Sequence, residues 1–86
     1  MQQFDHIVRD PLGLHAEPAV LLGKKIKEYE GTVVTICKDE RSALANKLMA
    51  LIGLEIKCGD KITVKVEGKD EAFAVSSLKE FMDEYL

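Results

Sequence analysis

The chain is 86 residues long, 47% hydrophobic and 31% charged, with twelve basic against fifteen acidic side chains and a net charge of −3. At roughly 100–200 residues per domain it is expected to form one domain over residues 1–86, with a thin core and none of the character of a disordered tail. It has no run near the ~20 apolar residues of a membrane helix, no basic-then-apolar leader and no basic excess for a phosphate backbone, so a cytoplasmic protein is expected, with no membrane or nucleic-acid partner.

"FDHIV" (4–8), stopped by "DPLG", reads as a strand and its turn. Ala19, Leu22, Ile26 and Tyr29, spaced by three and four, predict a helix over 16–29 with Pro18 in its first turn and Gly31 ending it. "TVVTICK" (32–38) is a β-branched strand with Val34 and Ile36 on one face and Val33, Thr35 and Cys37 on the other. "RSALA" reads as the brief second strand of a hairpin. Asn46 is a candidate cap for a short helix, "KLMALI", ended by Gly53. "KITVKVEG" alternates Ile62, Val64 and Val66 with Thr63, Lys65 and Glu67, a strand wet on one side.

The last helix has Asp70 as a candidate cap, Glu71 in its first turn, and Ala74, Val75, Leu78, Phe81, Met82 and Tyr85 as its apolar stripe. The order β-α-β-β-α-β-α with half-wet strands predicts an α+β sandwich, an antiparallel sheet covered on one face by helices. Cys37 and Cys58 lack metal or CxxC spacing, which predicts reduced structural thiols. His6 alternates with Phe4 and Val8 and reads as a structural histidine, so no metal site is expected.

His15, in "GLHAEPA" (13–19), falls at the N-cap of the first helix. There the amides of Ala16 and Glu17 lack internal acceptors, and Pro18 has no amide hydrogen to add. This is a setting for an anion, and a phosphoryl group carried on a ring nitrogen would rest on those amides. A solvated capping histidine is the plainer alternative.

The heptapeptide resembles the active-site signature of the HPr family, G-[IL]-H-[AT]-R-P-A, and matches it at six of seven positions. The resemblance runs the length of the chain, including "RSALANKLMALIGLEIKCGDKITVKVEGKDEAF". It implies an open-faced β-sandwich of four antiparallel strands and three helices. It also implies that His15 takes a phosphoryl group from Enzyme I, itself charged by phosphoenolpyruvate, and passes it to the A components of sugar permeases. The carrier would be a substrate of Enzyme I rather than an enzyme, would need no metal or cofactor, and would be a monomer that can also meet transcriptional or metabolic regulators.

Three positions depart from the family. Glu17 stands where the family has an arginine, and Leu12 where relatives often carry a small polar residue. Lys47 occupies the position of a regulatory serine, so that phosphorylation switch is not expected. A unit charge pair about 5 Å apart at an effective dielectric near 20 is worth roughly 3 kcal/mol before screening, so Glu17 in place of arginine turns attraction of a phosphoryl group into repulsion. An acid pointing into solvent is the alternative.

Placed as in the family, Val20, Leu21, Leu48, Met49 and Ile52 form an exposed apolar patch beside His15, rimmed by Lys24, Lys27 and Lys47, while Leu51 is expected in the core. A phosphocarrier is the leading function. A non-carrying regulatory relative, in which Glu17 suppresses transfer, is the alternative, and a hydrolase is disfavoured because one exposed helix end offers no cleft.

Overall fold

The computed structural model describes residues 1–86 in the order β1 (Gln2–Ile7), α1 (Ala16–Ile26), β2 (Thr32–Lys38), β3 (Arg41–Leu44), α2 (Leu48–Gly53), β4 (Lys61–Gly68) and α3 (Glu71–Tyr85). The strands form one antiparallel sheet in the order β1-β4-β2-β3. This is the α+β sandwich predicted from the half-wet strands, in the open-faced form that the resemblance implies.

The register explains which face is dry. Phe4 pairs with Val64, Val64 with Ile36, and Ile36 with Ala43, so one apolar row crosses all four strands. One residue along, Asp5, Thr63, Cys37 and Ser42 make the opposing row, which faces water. There the Thr63 hydroxyl donates to the Asp5 carboxylate at 2.7 Å. A period of two makes that division an all-or-none property of each strand. The three helices close the dry face, and Leu22, Leu51 and Leu78, one from each, are fully buried against it.

The element ends differ from the sequence-based expectation. β1 begins earlier, and Val8, just past its end, is still buried. α1 stops at Ile26, because Glu28 and Tyr29 bond back only three residues, to Lys25 and Ile26. Tyr29 is buried all the same, and its hydroxyl donates to Ser77 of α3 at 2.6 Å. Tyr85, placed in the α3 stripe, is exposed.

Neither cap candidate caps. Lys47, not Asn46, takes the N-cap position of α2, and Asp70 stands at the N-cap of α3 without a side-chain bond. The Glu71 carboxylate instead accepts from the Gly68 amide at 3.2 Å. The far end of α2 is tied down by cations. Arg41 donates to the Gly53 and Leu54 carbonyls and Lys38 to that of Glu55, where positive charge suits the helix terminus.

Asp60 secures the turn between α2 and β4. Its carboxylate accepts from the Lys57 amide at 2.8 Å and meets the Lys38 ammonium at 2.9 Å. The Lys38 contact, with the Lys57 amide second, holds the Asp60 carboxyl below the usual aspartate range. A group depressed in the folded state stabilises it above its unfolded value, near ~3.9, and that contribution is lost as pH falls through the folded value. The melting-temperature gap between the wild type and Asp60→Asn is therefore expected to be full near neutrality and to close once pH drops below about 4. Thermal melts followed by circular dichroism across that range check this, and a gap independent of pH would contradict it.

Candidate functional site

The segment between β1 and α1 is fixed at both ends. Val8 donates to Asp60 and accepts from Gly59, which extends the β1–β4 pairing, and the amides of Arg9 and Asp10 both donate to the Leu86 carbonyl. The chain then turns at Asp10-Pro11. Asp10 Oδ1 accepts from the Leu12 amide at 2.8 Å and its carbonyl from Gly13 at 2.9 Å, the pair of hydrogen bonds that an aspartate makes when it starts a turn.

Gly13 passes directly over the next segment. Its φ is +69°, and an added Cβ would run into the Ile56 carbonyl and come within 2.8 Å of Lys57 Cα. The Leu14 amide donates to that Ile56 carbonyl at 3.0 Å, and the Leu14 side chain enters the core.

His15 follows as the N-cap of α1, in extended conformation (φ −99°, ψ −173°) and with no capping bond from its side chain. The first helical bond runs from Ala19 to the His15 carbonyl. The amides of Ala16 and Glu17 precede it, at positions where no internal acceptor exists, and Pro18 contributes none. The imidazole is 33% exposed, with Nε2 facing Asp10 Oδ2 at 3.7 Å, beyond hydrogen-bond length. The ring is thus open to solvent and locked to no side chain. Together these features make a helix end that can receive an anion, with a nucleophilic ring at its edge.

The remaining predicted residues divide between two sides of α1. Val20, Lys24 and Lys27 line a groove of about 280 Å³ together with Leu48 of α2. Met49 is 78% exposed, Ile52 is half-buried against the core, Leu51 is buried, and Lys47 is exposed at the start of α2. Leu21 does not join them. It turns toward α3, in a groove with Phe81 and Tyr85, because adjacent helical positions lie about 100° apart. Glu17 is exposed in the first turn, and the side chain of Leu12 is exposed above the loop.

His6 lies on the dry face of the sheet, buried, with Nδ1 3.7 Å from Asp83 Oδ1. No three His, Cys, Asp or Glu side chains converge as a metal-binding group. No helix is long and apolar enough to cross a membrane. Asp10 is the site residue that sequence reasoning missed. Its signal was the Asp-Pro pair five residues ahead of the histidine, which marks a turn and does not tell where the second carboxylate oxygen points.

The family profile described as "PTS HPr component phosphorylation site" matches residues 2–84. The chain is 35% identical over 85 residues to the phosphocarrier protein HPr of Borreliella burgdorferi, covering 99% of this chain and 98% of that protein. It is 32% identical over 82 residues to the HPr of Mycoplasma capricolum, with 95% and 91% covered. Among solved structures, a histidine-containing phosphocarrier protein from Mycoplasma superposes with a TM-score of 0.90 at 30% identity, over 96% of this chain and 93% of the other. An HPr from Bacillus anthracis superposes with a TM-score of 0.84 at 28% identity, over 94% and 95%.

Gly13→Ala combines a left-handed conformation, costing about 1–2 kcal/mol, with an overpacked backbone contact, costing about 1–3 kcal/mol. The melting temperature is expected to fall by roughly 10 °C or more. Calorimetry reads this directly, and a fall of under ~3 °C would mean that the loop relaxes away from Ile56.

Proposed function

This chain belongs to the HPr family of the phosphotransferase system, a family of phosphocarrier proteins, and from that premise we propose that it takes a phosphoryl group from Enzyme I onto the His15 ring and delivers it to the A components of sugar permeases. The observation that carries this reading is the setting of the ring. It is held at the mouth of α1 by the bonded turn before it, takes no part in capping, and is exposed to a third of its surface. A group attached there lies beside the Ala16 and Glu17 amides, which supply hydrogen bonds and the positive end of the helix without any side-chain cation.

The chemistry asks little of the carrier. The donor's phosphorus meets a ring lone pair, the group leaves again by the reverse step, and positioning does most of the work. No cofactor takes part in this scheme. Docking falls to the surface beside the ring. Val20, Leu48 and Met49 offer an apolar contact that adapts to successive partners, Ile52 supports it, and Lys24, Lys27 and Lys47 supply a basic rim for acidic ones. Such exchange is served by a cytoplasmic monomer.

Incubation with phosphoenolpyruvate and Enzyme I is expected to add one acid-labile phosphoryl mass to the intact protein, and His15→Ala is expected to lose it. No gain on the wild type, or a gain that survives in His15→Ala, would overturn the assignment. Met49→Asp is expected to slow transfer roughly tenfold while shifting the melting temperature by no more than a few degrees, because the side chain is mostly in solvent. Stopped-time transfer assays beside thermal melts check both halves.

A further inference from the structure

We propose that Asp10 is a positioning residue: its carboxylate keeps the proton of the neutral His15 ring on Nε2 and the bare lone pair on Nδ1. The proposal rests on the reading of His15 as the acceptor given above.

The aspartate is held in place by its own backbone and by half of its carboxylate. Its amide donates to Leu86 at 3.1 Å, its carbonyl accepts from Gly13 at 2.9 Å, and Oδ1 accepts from Leu12 at 2.8 Å. Oδ2 is left to face the ring, 3.7 Å from Nε2, with the two side chains 26% and 33% exposed. A neutral imidazole has one N–H and one bare lone pair, and the partner of one nitrogen decides which is which. A carboxylate attracts the N–H and repels the lone pair. At 3.7 Å it does so through its charge, and a small closing motion when a partner docks would make it a hydrogen bond.

The consequence for transfer is a step with no proton to move. The Nδ1 lone pair forms the bond to phosphorus as the bond from phosphorus to the donor breaks, the electron pair of that bond staying with the donor. Nε2 keeps its hydrogen throughout. The ring gains positive charge, and the Asp10 carboxylate lies against it. When the group passes on, the Nδ1–phosphorus bond breaks and its pair returns to a neutral ring already in the starting tautomer. Exposed Glu17 has no comparable hold on the ring.

The test uses the full chain labelled with ¹⁵N, in long-range proton–nitrogen spectra recorded well above the ordinary imidazole range near ~6.5. The wild type is expected to carry the hydrogen mainly on Nε2. Asp10→Asn keeps the Oδ1 that accepts from Leu12 and removes the charge, and the tautomer ratio is expected to fall by roughly threefold, the size of a partly exposed charge interaction. Asp10→Ala is expected to lower it similarly, with amide spectra confirming the fold of both variants. Phosphoryl transfer should slow in step with the fraction of rings that carry the hydrogen on Nε2. An unchanged ratio in both variants or a wild-type hydrogen on Nδ1 overturns the proposal. Failure of the wild type to accept any phosphoryl group removes the carrier reading and the transfer half of this proposal together, while the tautomer ratio alone decides whether Asp10 governs the ring.

Discussion

The end of the molecule that carries His15 depends on a close contact between two stretches of backbone, Gly13–Leu14 laid against Ile56–Lys57. No side chain intervenes at Gly13, so the contact distance is set by main-chain atoms and cannot be adjusted by rotamer changes. The Leu14 amide then fixes where α1 begins, and His15 follows one residue later. The supporting stretch is itself braced, by Asp60 on the Lys57 amide and by Lys38, which bonds both Asp60 and the Glu55 carbonyl. A line of bonded atoms thus runs from β2 through the β4 turn to the histidine.

The surroundings of the ring combine opposing charges. The amides at the start of α1 attract an anion, an effect worth about 0.3–1 kcal/mol at an exposed helix end and up to ~2 in favourable geometry. Asp10 and Glu17 oppose it with terms that solvent reduces to about the same size. A phosphoryl group seated there would be held weakly by the protein, which suits a group in transit more than one that is stored. The repulsion is unequal in direction. Asp10 faces the ring nitrogen on one side, whereas Glu17 projects into solvent from the first turn.

Much of the sheet was legible because alternation carries one bit per residue, buried or wet, and β4 follows it cleanly, with Ile62, Val64 and Val66 buried between more exposed neighbours. The Phe4–Val64–Ile36–Ala43 row is the direct outcome. Helix ends were less legible because they are settled by competition among neighbours. Asn46 and Asp70 are good capping types, yet neither helix start receives a side-chain capping bond, and Tyr29 stays buried by bonding to α3 after its own helix has ended. At the site, the histidine could be found from its place before Pro18 and its motif. Asp10 could not, since the sequence reveals its turn but not the free oxygen. The apolar stripe of α1 likewise reveals which residues point inward, but not that α2 flanks one side and α3 the other, which is what separates Leu21 from Val20.

The two bonds from Arg9 and Asp10 to the Leu86 carbonyl join positions at opposite ends of the sequence. Closure of so long a loop is late and slow relative to local contacts. The turn that presents the histidine is therefore without this anchor until α3 has docked.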